Sequence, residues 1–62
     1  MSFSKKIADY VGQNILVETV SESFAGVLVS ADDTFTVINR DGAEGNRVTI
    51  LTNAIAYVRS SQ

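Results

Sequence analysis

Asp32 and Asp33 are consecutive carboxylates, an arrangement that raises acid/base work or divalent-cation binding, and threonines stand close by at positions 34 and 36. Consecutive side chains at a strand end diverge, however. The pair therefore reads as turn chemistry, with Asp32 accepting hydrogen bonds from the backbone amides that follow it. Gly42 and Gly45 form the densest glycine cluster, but no Gly-Lys-Ser or Gly-Lys-Thr accompanies them, so a phosphate-cradling loop is not expected. The chain has no histidine and no cysteine. That removes Ser-His and Cys-His nucleophile pairs, the usual zinc ligands and any disulfide framework. The expectation is a protein that is not an enzyme and carries neither cofactor nor metal.

Charge points the same way. Five Lys/Arg against seven Asp/Glu give a net charge of -2, so the bulk balance does not draw the chain to a polyanion. Lys5 and Lys6 form one local basic pair. Read as the start of a helix, they oppose its macrodipole, which makes helix stability an unsatisfying reason for their presence. No apolar run approaches the ~20 residues of a membrane span, so a soluble, cytoplasmic protein is expected, with no membrane partner.

The elements that must position these side chains follow from hydrophobic period. Phe3, Ile7, Tyr10 and Val11 fall on one stripe of a short helix, with Ser2 or Ser4 as its N-cap and Gly12 as the residue that ends it. From Asn14 onward the pattern is that of strands. Eight Val, five Ile and five Thr suit a pleated, half-buried surface. Expected strands cover 15–20, 24–30, 34–39, 48–52 and 54–59, with reversals at 21–23 and 31–33 and a loop at 40–46 around Asp41-Gly42 and Gly45. Gly26, inside the second strand, marks a bend or a close backbone approach. The fold class is mainly β: one domain over residues 1–62, a short N-terminal helix followed by a five-stranded, strongly bent barrel.

Size adds a constraint. For 62 residues the apolar burial available to a monomer and the entropy of ordering it nearly cancel, and neither disulfide nor metal can tip the balance. Oligomerisation is the remaining route, beside a well-packed monomer of the kind that many domains of about 55 to 65 residues form. The fourth and fifth strands, joined by only Thr52-Asn53, are too tightly linked for a relaxed hairpin, so their free edges are expected to serve neighbours.

Gly26, Leu28, Asp32, Phe35 and Thr36 reproduce the spacing of the first Sm motif, and residues 48–58 resemble the hydrophobic frame of the second. The chain thus resembles the Sm-like superfamily of Sm, LSm and Hfq proteins, in the compact stand-alone form found in bacteria and phages. The resemblance implies an SH3-like barrel and a cyclic homo-oligomer of roughly five to seven subunits. Its interface would set Val48, Ile50 and Thr52 of one copy against Ile55 and Tyr57 of the next. Proline at Ile55 or Tyr57 is then expected to remove a ladder donor. The resemblance also implies single-stranded RNA on the ring face, with Asp32, Thr34, Thr36, Leu51, Thr52, Asn53, Lys5 and Lys6 as candidate contacts. The specialised family residues are replaced: the base-stacking position is Thr34, the Sm arginine-glycine positions are Leu51 and Thr52, and the Hfq lysine-histidine positions are Thr52 and Asn53. Two readings follow, a ring that binds RNA weakly and a non-catalytic oligomeric scaffold that contacts protein. Phe35 and Tyr57 are read as core or interface packing.

Overall fold

Alternation of buried and exposed side chains, rather than apolar content alone, decides which segments become strands. In the computed structural model, which describes residues 3–40 and 46–61, a short helix α1 (Phe3–Ala8) precedes five strands: β1 (Asn14–Thr19), β2 (Ser23–Ala31), β3 (Phe35–Arg40), β4 (Arg47–Leu51) and β5 (Ile55–Ser60). A 3-10 turn, Thr52–Ala54, joins the last two. The proposed Ser2 cap and the glycines of the expected 40–46 loop lie outside the described residues.

All five strands belong to one antiparallel sheet in the order β4-β3-β2-β1-β5. The long β2 serves both neighbours, pairing with β1 through its first half and β3 through its second. Register shifts in β2 at Leu28/Ser30 and in β1 at Glu18/Thr19 bend the two ladders. One core gathers Ile7 from α1, Ile15 and Val17 from β1, Leu28, Ile38, Ile50 and Ile55. Because Ile50 on one end strand and Ile55 on the other share that cluster, the sheet curls around it. It does not close, since no ladder among the described residues joins β4 to β5.

Gly26 is where two strands approach too closely for a side chain to fit. It pairs with Ile15 on one side and Arg40 on the other, and a Cβ built there would lie 2.3 Å from the Asn39 carbonyl oxygen. Glycine is required by that backbone approach. Gly12 is required for a different reason: its φ of 87° is in the left-handed region, while the space around it is open. Its amide donates to the Leu28 carbonyl (2.9 Å) and the Leu28 amide donates to Gln13 (3.0 Å), which ties the end of the helical segment to β2.

Two boundaries differ from the sequence reading. Val20, expected to close the first strand, is almost wholly exposed in the β1–β2 turn. The Thr19 amide donates to the Glu22 carbonyl (2.9 Å) and the Thr19 hydroxyl accepts from the Glu22 amide (3.1 Å), so the reversal begins one residue earlier. The helix is also shorter than its apolar stripe. Val11 falls beyond it and is exposed, whereas Ile7 is fully buried.

Candidate functional site

The corner between the β2–β3 turn and the end of β4 collects most of the singled-out residues. Asp32 accepts two backbone hydrogen bonds at Oδ1, from Thr34 (2.8 Å) and Phe35 (2.6 Å), and its own amide donates to the Phe35 carbonyl (2.9 Å). Those amides hold the Asp32 carboxyl below the ordinary carboxylate value of 3.8. This is the turn-closing role that its position suggested. Asp33 diverges from it and accepts a hydrogen bond from Ser4 Oγ, which pins α1 to the same turn.

β4 meets that turn through Thr52. Its amide donates to the Thr34 carbonyl (3.0 Å) and its hydroxyl donates to the Asp32 carbonyl (2.7 Å). Thr36 Oγ1 lies 2.8 Å from Thr52 Oγ1. With the Thr52 proton already committed to Asp32, the Thr36 hydroxyl is the donor in that pair. Both threonines are buried, Thr36 at 0% and Thr52 at 4% exposure. Their hydroxyls are spent on holding β4 to the β2–β3 turn. Asp32, Thr34 and Asn53 are the exposed polar candidates of this corner.

Leu51 and Phe35 are the surprise. They are cross-strand partners on the outer face, 55% and 47% exposed respectively. The alternation of β3 puts Thr36 and Ile38 inward, so Phe35 must point outward and is not core. Nothing but that parity signalled it in the sequence. Beside this corner, an open cleft of about 430 Å³ is lined by Phe24, Ile50 and Ala54 with Glu22, Thr49 and Asn53 at its rim.

Lys5 and Lys6 are exposed on α1. The helix has only six residues, and both lysines lie in its last turn, where cations favour the macrodipole. The argument that they oppose it is thereby corrected.

The residues assigned to an interface divide by face and by edge. Ile50, Thr52 and Ile55 are buried and Val48 half-buried, all directed into the core of their own chain, whereas Tyr57 is exposed. Backbone direction is set by alternation in antiparallel ladders. The Thr52 amide faces β3, as does Arg40 toward Asn46, so Arg47, Thr49 and Leu51 turn their backbone groups to the open side of β4. The Ser61 amide faces Asn14, so Tyr57 and Arg59 direct theirs to β1 and Val58 directs its amide outward. A proline at Tyr57 therefore breaks the chain's own sheet rather than a junction; Thr49 is the informative position.

Chemically the corner can close a turn and present an apolar surface. Among the described residues no group of three or more His, Cys, Asp or Glu could hold a metal ion, and no helix is long and apolar enough to cross a membrane. No family model matches this chain, and no curated protein or solved structure is significantly similar to it.

Proposed function

We propose that this chain is an Sm-like, ring-forming protein whose ring is a non-catalytic scaffold. One observation carries the reading: β4 and β5, consecutive in sequence, lie at opposite ends of one five-stranded sheet, each with an open edge. An unpaired edge is a template for another strand. Joining β4 of one copy to β5 of the next continues the sheet, satisfies both edges and leads to a ring if the rotation closes. The sequence spacing of the Sm motifs supports the same arrangement, and the marginal size of the chain supports the need for it.

Scaffold is preferred to RNA binding because the polar groups that a base would use are already occupied. The Asp32 carboxylate and the Thr36 and Thr52 hydroxyls are engaged within the chain, and Thr34 has no π face. Base stacking supplies about 1 to 3 kcal/mol per nucleotide, and that contribution is missing at the family's position. The second reading, single-stranded RNA on the ring face, rests on the exposed Thr34 and Asn53 and on Lys5 and Lys6, which a ring would repeat into a basic crown.

A mass measurement by light scattering or native mass spectrometry tests the ring, with one discrete closed oligomer expected. A monomer at every concentration refutes it. Titration with U-rich, A-rich and mixed single strands at low salt separates the two roles. No binding supports the scaffold; salt-sensitive binding that is lost on Lys5→Ala with Lys6→Ala transfers the assignment to RNA.

A further inference from the structure

Exposed large apolar side chains are few in this fold: among the described residues they are Val11, Val20, Phe35, Leu51 and Tyr57. Val11 and Val20 sit in turns. The other three lie on strands, at the two ends of the sheet. Leu51 is on β4 with Phe35 opposite it on β3, and Tyr57 is on β5, 44% exposed. All three point away from the core. Phe35 alternates with the buried Thr36, Leu51 with the buried Ile50, and Tyr57 with Val58, which packs against the core.

Outer-face side chains of adjacent strands stand side by side, about 4.5 to 5.5 Å between Cβ atoms when directly opposed. If β5 of a second copy continues the sheet at β4, its Tyr57 comes down on the same outer face as Leu51 and Phe35. We infer that Tyr57 of one copy covers the Leu51–Phe35 patch of the next, forming an aromatic-aliphatic cluster that seals each junction. The inference rests on the head-to-tail reading above and adds to it the side chains that hold the joint. It accounts for two exposed aromatic side chains among the described residues, Phe35 beside the β4 edge and Tyr57 on the β5 edge strand. The occupant is a second copy because the two patches are matched in chemistry and flank the only two edges the sheet offers among the described residues. The backbone supports this contact on both sides: Leu51 and Thr49 turn peptide groups to the open edge of β4, and Val58 does so from β5.

Tyr57 is held for this role. It faces Glu18 across the β1–β5 ladder, so the chain's own sheet fixes its place on the outer face before any partner arrives. The apolar ring, not the hydroxyl, makes the contact. Tyr57→Phe is therefore expected to assemble like the unmodified chain.

The test uses the full chain and two variants, Leu51→Asp and Tyr57→Asp, whose side chains are exposed and whose folding is checked by circular dichroism. Each alone is expected to weaken association by at least about tenfold, as loss of an interface anchor does. Mixed, they are expected to form a 1:1 dimer and stop, because Tyr57 of the first variant still meets Leu51 of the second while the other two surfaces are blocked. Variants that are folded yet assemble like the unmodified chain overturn the inference and leave the ring reading standing. An unmodified chain that is monomeric at every concentration overturns both. A mixture that stays monomeric although each variant is folded overturns the head-to-tail cluster.

Discussion

Replacing Gly26 by alanine adds one methyl group where three backbone atoms already crowd. The new Cβ would lie 2.3 Å from the Asn39 carbonyl oxygen, 2.9 Å from the Asn39 carbonyl carbon and 3.1 Å from Arg40 Cα. None of these is the end of a flexible side chain, so β3 must retreat by about 0.7 Å to bring the oxygen to a tolerable 3.0 Å. Overpacking of that kind costs about 1 to 3 kcal/mol, and stretching the adjacent ladder loses on the order of another 1 kcal/mol. The smaller entropy of an unfolded alanine gives back about 0.4 to 1 kcal/mol. The expected loss is about 1 to 3.5 kcal/mol, or a melting temperature lower by roughly 8 to 28 °C for a domain of this size. Urea titration at fixed, low protein concentration measures it, since association would otherwise add to apparent stability. The control is Gly12→Ala, where φ is 87° but the surrounding space is empty, so only backbone strain of about 1 kcal/mol is expected. If Gly26→Ala proves no more destabilising than the control, the strand approach assigned to Gly26 is wrong.

Thr52→Val is expected to cost about 1 to 3 kcal/mol, because the buried Thr36 hydroxyl and the part-buried Asp32 carbonyl both lose their partner; Thr36→Val should cost less, and the double variant less than the sum of the two in a urea double-mutant cycle. Asp32 ionises below its ordinary value, so its contribution is complete above about pH 4 and disappears as pH falls through the lowered folded value; Asp32→Asn should flatten the acid limb of a stability profile followed by circular dichroism. The phenol of Tyr57 is raised above 10.0, first by its hydrogen bond to Glu18 and then by desolvation and by the Glu18 charge. Its stabilisation is therefore present below pH 10 and is lost as pH rises through the folded value, and Glu18→Gln should return the ultraviolet titration of Tyr57 toward the ordinary tyrosine value.

Strand content was legible because period-two alternation is a local property. Ile15 and Val17, Thr36 and Ile38, and Val48 and Ile50 each skip one residue, and a backbone with that spacing buries one face. Asp32 as a turn closer and Gly26 as a close approach were legible for similar reasons, since each is a residue type fitted to one backbone geometry. The ends of elements were less so. Val20 has every property of a strand residue, and it is the Thr19–Glu22 pairing that leaves it in the turn.

Composition and alternation by themselves determined that this chain is a five-stranded β protein with a short leading helix and with neither histidine nor cysteine. Tertiary structure alone decided what the threonines and aromatics do. A threonine and a phenylalanine one residue apart exchange places between core and surface with a single step of register, and Thr36 falls inward to bond Thr52 while Phe35 falls outward beside Leu51. The sheet order likewise parts β4 and β5, neighbours in sequence, to opposite ends because three strands between them wrap one shared core. Which edges remain open depends on how distant segments pair; the short Thr52-Asn53 link indicated only that β4 and β5 do not pair with each other.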